Sequence, residues 1–339
     1  MSGAEQGRGS VPQIIPEISR RDMLGIAGGL SLSCFASASA AGLVAGPART
    51  AALDIVDGQV HIGPDGTDQA LAVMNALGIR SALLYEHWGP GPDRDPRHNL
   101  PGYVLPNGAW RAVSATATIA ALTHPERFAS VMKVDPRDPQ LKAVLETIAS
   151  TPYVKAIRVL PVWTLADAQA FSAGSCDALF GLAQDLRIPV FLFIPGYAEL
   201  LEPYLTRFPR LTAIVDHCGM PFANIPPGGA AKASPQYFDQ VLKLARHPNV
   251  ALKWSHANDQ FGVPNAKAAM LQPYLRRAIA AFGPQRIVWA SDNTIIPTQT
   301  WSSLLRDLTD DSNLSAVEQE WILGRALRTL LRWDAKTAA

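Results

Sequence analysis

Three short runs in this chain end in groups that can hold a metal ion or move a proton. They are Asp54-Ile-Val-Asp57-Gly-Gln59-Val-His61, Ile214-Val-Asp216-His217 and Arg286-Ile-Val-Trp-Ala-Ser-Asp292. In each, an apolar stretch of strand length runs into an imidazole or a carboxylate. Side chains alternate along a strand, so Asp57, Gln59 and His61 are expected on one face, with His61 nearest the strand's end. Singly, each ending has a plainer explanation. A lone histidine at a strand end is more often structural than a ligand, and a carboxylate after an apolar run is more often a cap than a base. A fold that brings the endings together changes that balance. His61, His217 and Asp292 would then offer two imidazoles and a carboxylate, a set suited to several divalent metals. The same residue types can work without metal, moving protons while polar neighbours polarise a carbonyl.

The elements between these runs predict such a fold. Eight apolar runs of strand length recur: Leu53–His61, Ser81–Tyr85, Phe128–Val134, Val154–Leu160, Pro189–Ile194, Leu211–His217, Val250–Ser255 and Ile287–Asp292. Most are nearly continuous in Val, Ile, Leu and Ala, as in parallel strands buried on both faces. Helical patterns separate them at Asp68–Leu77, Leu141–Ile148, Ala178–Leu186, Ala198–Phe208, Tyr237–Ala245 and Ala268–Phe282. Strand and helix in alternation predict an α/β fold, a (β/α)8 TIM barrel forming a single domain from 53 to 335. A doubly wound sheet would carry a glycine-rich phosphate loop after its first strand, and this one continues His61-Ile-Gly-Pro.

In a barrel the strand ends converge on one face, which places further candidates. Arg158 on the fourth strand can clamp a carboxylate in a fork, or pair with a buried acid in the wall. Lys253 and Ser255 share a face of the seventh strand; if it is inward, the lysine demands an anionic partner or substrate. Glu86, His87 and Trp88 follow the second strand and can line the mouth. The proline- and glycine-rich stretches Glu86–Ala109 and Pro221–Ser234 lie on the same face, as walls of a pocket or as surface decoration. His124 and His247 sit in turns and are expected at the surface. Cys218 neighbours His217, but adjacent strand residues point apart, which argues against a nucleophilic pair. No Gly-x-Ser-x-Gly elbow is present.

With these residues in view, the chain resembles the amidohydrolase-related (amidohydrolase 2) family, in particular its lactonase-like branch. The resemblance runs from about Leu53 to Trp333. It rests on Ile55-Val-Asp-Gly-Gln-Val-His61, Pro125-Glu-Arg-Phe-Ala129, Lys155-Ala-Ile-Arg158, Val215-Asp-His-Cys-Gly-Met-Pro221, Asn249-Val-Ala-Leu-Lys253 and Phe282-Gly-Pro-Gln-Arg-Ile-Val-Trp-Ala-Ser-Asp292. It implies a barrel hydrolase with Asp292 as general base, His217 binding substrate or metal, and His61 as the second histidine of a His-x-His pair. Gln59 stands where the first histidine is expected. A neutral amide is a poor zinc ligand, and Lys155 lies at the start of its strand, away from any place where it could bridge two metals. The expectation is therefore catalytic Asp292, His217 and His61, with Gln59, Arg158, Lys253 and His87 binding substrate. No metal is obligatory, or one divalent cation, zinc foremost, sits on His61, His217 and Asp292. The expected reaction is opening of a cyclic ester. The alternatives are a metal-dependent decarboxylase of an aromatic or unsaturated acid, and a non-catalytic sugar- or acid-binding barrel. The partner is a small molecule, a lactone or a carboxylic acid.

The first 40 residues carry a different signal. Ser19-Arg20-Arg21-Asp22-Met23-Leu24 opens an apolar stretch to Ala40, with small residues at Ala36, Ala38 and Ala40 for cleavage. This is the pattern of a twin-arginine export signal, followed by a linker over 41–52, and it predicts the export machinery as a partner and a periplasmic or secreted product. A membrane anchor is the plainer alternative, opposed by the stretch's Gly and Ser content. Over the 339 residues the net charge is +1, and 48% are hydrophobic against 17% charged. That leaves no basic field for nucleic acid and enough apolar material for a large core. Cys176 and Cys218 have no framework spacing and are expected free. A homo-oligomer is compatible with the chain, whose composition sets no subunit number.

Overall fold

A computed structural model describes residues 53–62, 66–86, 102–222, 235–261, 268–293, 299–310 and 313–334. The expected signal and linker, and His87, lie outside the described residues. Ten strands lie among the described residues: β1 (Ile55–Val60), β2 (Ile79–Tyr85), β3 (Gly102–Val104), β4 (Trp110–Ala112), β5 (Phe128–Lys133), β6 (Val154–Val159), β7 (Val190–Leu192), β8 (Ala213–Val215), β9 (Val250–Trp254) and β10 (Ile287–Trp289). Eight of them form one sheet in the order β1-β2-β5-β6-β7-β8-β9-β10, every pair parallel. Helices fill the crossovers, so the sheet curls into a nearly closed (β/α)8 barrel.

The eight expected runs are these eight strands; seven are trimmed at the end where the chain leaves the ladder to build the site, and β2 instead begins two residues earlier, at Ile79. Three features escaped the periodicity. The described part of the long segment after β2 holds the antiparallel hairpin β3–β4. Helices Ala115–Thr123 and Leu165–Ser172 are short and weakly amphipathic. Beyond β10, helix Trp301–Thr309 and the run Ala316–Leu331, with a π-helical turn at Trp321–Arg325, complete the described fold.

Packing divides into two layers. Outward side chains of the strands meet the helices in one large cluster. Inward side chains form a second, smaller one: Val56, Leu83, Ala129, Val131, Ala156, Phe191, Ile214, Ala251 and Val288. Its lower end is plugged by Ala326, Leu327, Leu331 and Trp333. Arg328 fastens this plug, donating to Asp54 Oδ2 at 2.5 Å, Asp54 Oδ1 at 3.0 Å and Ser81 Oγ at 3.0 Å. The lower half of the barrel is thus dry and apolar. The polar inward residues gather in its upper half.

The seam between β1 and β10 corrects one expectation. Asp57 does not share a face with Gln59 and His61. The register of β1 against β2 slips between Asp57 and Val60, which turns Asp57 outward. Its Oδ1 accepts from the backbone N–H of Gln59 (3.0 Å) and of Ser291 (2.9 Å), and its Oδ2 from the indole N–H of Trp301 (2.7 Å). Gly58 permits the close approach, since a Cβ there would lie 2.8 Å from the Trp289 carbonyl oxygen. Asp57 is therefore a clasp that joins the sheet's two ends.

Burial pushes the Asp57 carboxyl up from 3.8 to about 6, against the pull of its hydrogen bonds. Between these values the folded protein holds a proton that the unfolded chain has lost. Asp57 therefore contributes stability at pH 4 that is withdrawn as pH rises through 6, by up to about 3 kcal/mol. Urea midpoints of wild type and Asp57→Asn at pH 4.5 and 7 check this. The wild type's advantage over the variant is expected to shrink at the higher pH, and a growing advantage would refute it.

Candidate active site

The upper half of the barrel gathers polar groups from six strands. Asp292 lies three residues past β10 and is 1% exposed. Its Oδ2 is 2.6 Å from His256 Nε2 and 3.9 Å from His217 Nε2, and its Oδ1 is 2.9 Å from His61 Nε2. Beneath this ring lies Asp216, also 1% exposed. Arg158 Nε donates to Asp216 Oδ2 at 2.7 Å, and Lys253 Nζ stands 2.7 Å from Asp216 Oδ1.

Each of those two cations reaches an imidazole. Arg158 Nη2 donates to His217 Nε2 at 3.1 Å. Arginine has no acceptor atom, so this ring nitrogen carries a lone pair, and the His217 proton sits on Nδ1, facing Ser255 Oγ at 2.8 Å. Lys253 Nζ donates to Gln59 Oε1. That orients the amide, whose Nε2 then donates to His61 Nε2 at 3.0 Å. His61 accordingly carries its proton on Nδ1, donated to the Tyr85 carbonyl at 2.9 Å. Tyr85 also floors the site: its ring packs under Arg158 and Lys253, 5.4 Å and 5.2 Å from centroid to cation.

His61 Nε2 thus faces an amide donor and a carboxylate at once and cannot serve both. When it accepts from Gln59, Asp292 Oδ1 receives no hydrogen bond, and this buried oxygen has none. Burial pushes the Asp292 carboxyl up, but the adjoining His61 and His256 imidazoles outweigh it and hold the group well below the usual carboxylate range. Burial, with Lys253 and His256 nearby, pushes His217 well below 6.5, so it is neutral. Burial lowers the Lys253 pKa, and Asp216 opposes the shift. Asp216 is raised by burial, yet Arg158 and Lys253 bring it below its ordinary value.

The sequence-derived set is largely brought together, with changes of role. Gln59 and Lys253 were expected to touch substrate. Both are fully buried beneath His61 and bonded to one another. Arg158, with its side chain 17% exposed, still reaches the mouth. Glu86 turns outward and caps helix Ala115–Thr123, accepting from the backbone N–H of Thr116 and Ala117 at 3.2 and 2.7 Å. Cys176 and Cys218 are free and buried. Burial pushes the Cys218 thiol up to about 12, which rules out a thiolate nucleophile at neutral pH.

His256 was missed. Strand alternation would turn it away from Ser255's side, but its φ is +55°, and this left-handed turn swings the ring inward. His217 and Asp292 leave their strands with φ of +48° each. Left-handed non-glycine residues cost about 1–3 kcal/mol apiece and collect at functional sites. Here three of them aim side chains at one point. Phe193 and Phe222 wall it, their ring centroids 5.7 and 5.6 Å from that of His217.

Residues 104–332 match the amidohydrolase family model. The chain belongs to the amidohydrolase family. The amidohydrolase is 32% identical, over 111 residues, to an L-fucono-1,5-lactonase of Burkholderia ambifaria; the match spans 33% of this chain and only 36% of that relative's length. A solved amidohydrolase of Burkholderia multivorans with bound zinc superposes with TM-score 0.61 at 17% identity, over 82% of this chain and 99% of the other. The 5-carboxyvanillate decarboxylase of Sphingomonas paucimobilis does so with TM-score 0.55 at 14% identity, over 83% and 99%. At these identities the structures share the barrel.

A metal is the first question such a family raises. His217, His256 and Asp292 each place a ligand atom within 4.8 Å of the others, a possible metal-binding triad in which His256 takes the place expected for His61. The hydrogen bonding of these residues does not fit a bound cation. The His217 lone pair is taken by a guanidinium N–H, and the 2.6 Å contact of His256 with Asp292 is a hydrogen bond that needs a proton between them. Two fixed cations, Arg158 and Lys253, already balance Asp216 and Asp292, and a dication would overcharge the site.

Proposed function

We propose that this amidohydrolase opens a cyclic ester, with Asp292 as general base on water. The observation that carries the reading is Asp292 Oδ1, a buried carboxylate oxygen with no donor. A water placed against it gives up a proton as its oxygen bonds to the lactone carbonyl. Arg158, at the mouth, supplies positive charge to the carbonyl oxygen. Collapse breaks the ring C–O bond, and the water's proton passes from Asp292 to the leaving alkoxide, giving a hydroxy acid. The neutral His217 shapes the site without competing for that proton. The partial likeness to a sugar lactonase favours a sugar-type lactone.

Proton release from a panel of aldonolactones and aromatic-ring lactones tests the reaction. Turnover on at least one is expected. Carbon dioxide from a hydroxybenzoate, with every lactone inert, would move the chain to the decarboxylases, and binding without turnover would leave a binding barrel. Because the donor set does not fit a cation, dialysis against a chelator is expected to leave turnover within about twofold. Stoichiometric zinc in the purified protein, with activity lost on chelation, would sink the metal-free mechanism. We also propose export through the twin-arginine signal at Arg20-Arg21, checked by the mass of the mature N-terminus in a periplasmic fraction.

A further inference from the structure

One buried carboxylate lies at the root of both imidazole contacts. From Asp216 Oδ2 a first arm runs through Arg158 to His217 Nε2, in steps of 2.7 and 3.1 Å. From Asp216 Oδ1 a second runs through Lys253, 2.7 Å away, and the Gln59 amide to His61 Nε2, 3.0 Å from that amide nitrogen. Each arm ends by pointing an N–H at a ring nitrogen. Each ring has its other nitrogen on an oxygen, Ser255 Oγ for His217 and the Tyr85 carbonyl for His61.

We infer that Asp216 is a positioning residue which, through Arg158 on one side and Lys253–Gln59 on the other, holds His217 and His61 as Nδ1–H tautomers, and so keeps a ring proton from pointing at Asp292 Oδ1 from His61 or at Oδ2 from His217. The physical reason is directional. Guanidinium and ammonium groups only donate, so a carboxylate that fixes both in place fixes the sense of every hydrogen bond beyond them. With Lys253 on its oxygen, the Gln59 amide cannot flip. With Gln59 set, a proton on His61 Nε2 would face another N–H. That pressure keeps the proton off the nitrogen nearest Asp292. Without it, the His61 proton is free to sit on Nε2 and point at Asp292 Oδ1, which then faces a donor instead of water. Asp216 touches no reacting atom and acts at two removes. The inference deepens the proposed hydrolysis and rests on it for its meaning, though its test needs no substrate.

The test is long-range 1H–15N NMR of the histidine rings in the intact protein, which reports tautomer and charge ring by ring. Wild type is expected to show Nδ1–H for both His61 and His217. The arms are then cut singly. Lys253→Met is expected to shift His61 to an Nε2-protonated form and leave His217 unchanged. Arg158→Met is expected to do the reverse. Each variant leaves Asp216 one cationic partner, so neither strands an unpaired buried charge. An Nε2–H form of either ring in wild type overturns the proposal, as does a single-arm variant that shifts both rings or neither. Asp216→Asn should release both rings, and its turnover is expected to fall at least about tenfold in kcat with KM little changed. If the rings behave as stated and no lactone turns over, the network stands and the assigned reaction fails. If the protein opens lactones but its rings hold other tautomers, the reaction stands and the network fails.

Discussion

Asp292→Asn is expected to lower kcat on the protein's lactone about 10³-fold or more while leaving the fold intact. The substitution is nearly isosteric, and Asn tolerates the left-handed φ of +48° that Asp292 adopts. Its backbone N–H can still donate to the Gln59 carbonyl, a 3.0 Å bond across the barrel seam. What disappears is the one oxygen that can take a proton from water. Positioned general bases contribute about 10²–10⁴ in rate, or roughly 3–5 kcal/mol of transition-state stabilisation. Because the carboxyl is held well below the usual range, the base is ionised throughout neutral and mildly acid pH. The wild-type kcat/KM is therefore expected to stay level with falling pH until below the range of an ordinary carboxylate. Substrate binding should survive in the variant, read as a KM or inhibitor affinity within a few-fold of wild type. Residual activity above about a tenth of wild type would remove Asp292 from the role.

Gly324→Ala is expected to cost about 3 kcal/mol of stability, at the opposite end of the barrel. Gly324 sits in the π-helical turn Trp321–Arg325 that lies against the start of β1. A Cβ there would fall 1.9 Å from the Asp54 carbonyl oxygen and 3.1 Å from its carbon. Backbone cannot be pushed aside as a flexible side chain can. Either β1 or the closing helix must move, and Arg328 ties the two together through Asp54. A shift of the helix would also withdraw Leu327, Leu331 and Trp333 from the barrel floor. Overpacking against fixed backbone lies at the upper end of the 1–3 kcal/mol range for such changes. In a domain of this size that is a Tm lower by roughly 4–6 °C. Turnover well below the melting point should stay within about threefold, since the catalytic groups lie at the far strand ends. A Tm within 2 °C of wild type, or a kcat that falls as far as stability does, would contradict this expectation.

Asp292 and Gly324 stand on opposite sides of what was legible in the chain. The barrel could be read because its signals are local. Near-continuous Val, Ile and Leu runs separated by amphipathic helices leave few other ways to bury strands on both faces. The importance of His61, His217 and Asp292 followed from their positions at the ends of such runs. The close approach at Gly324 could not be read, because it depends on a helix meeting a strand 270 residues earlier in the chain. The departure at Gln59 was visible, though its meaning changed. In the sequence it is a weak metal ligand. In the structure it is a relay whose amide is set by Lys253 and sets His61 in turn.

By itself, then, the sequence determined the architecture and the strand ends at which chemistry gathers, because hydrophobic periodicity is a property of neighbouring residues. Tertiary structure alone decided the remainder. A slip in β1 turned Asp57 from a companion of His61 into the clasp of the seam. One left-handed residue after β9 brought in His256, which alternation would have turned away. Asp216, beside a more conspicuous histidine, proved to be the root of two hydrogen-bonded arms reaching across four strands. These are matters of which distant groups meet, and in which direction each proton points. Spacing along a chain carries neither, because both are settled only when separate strands close around a common interior.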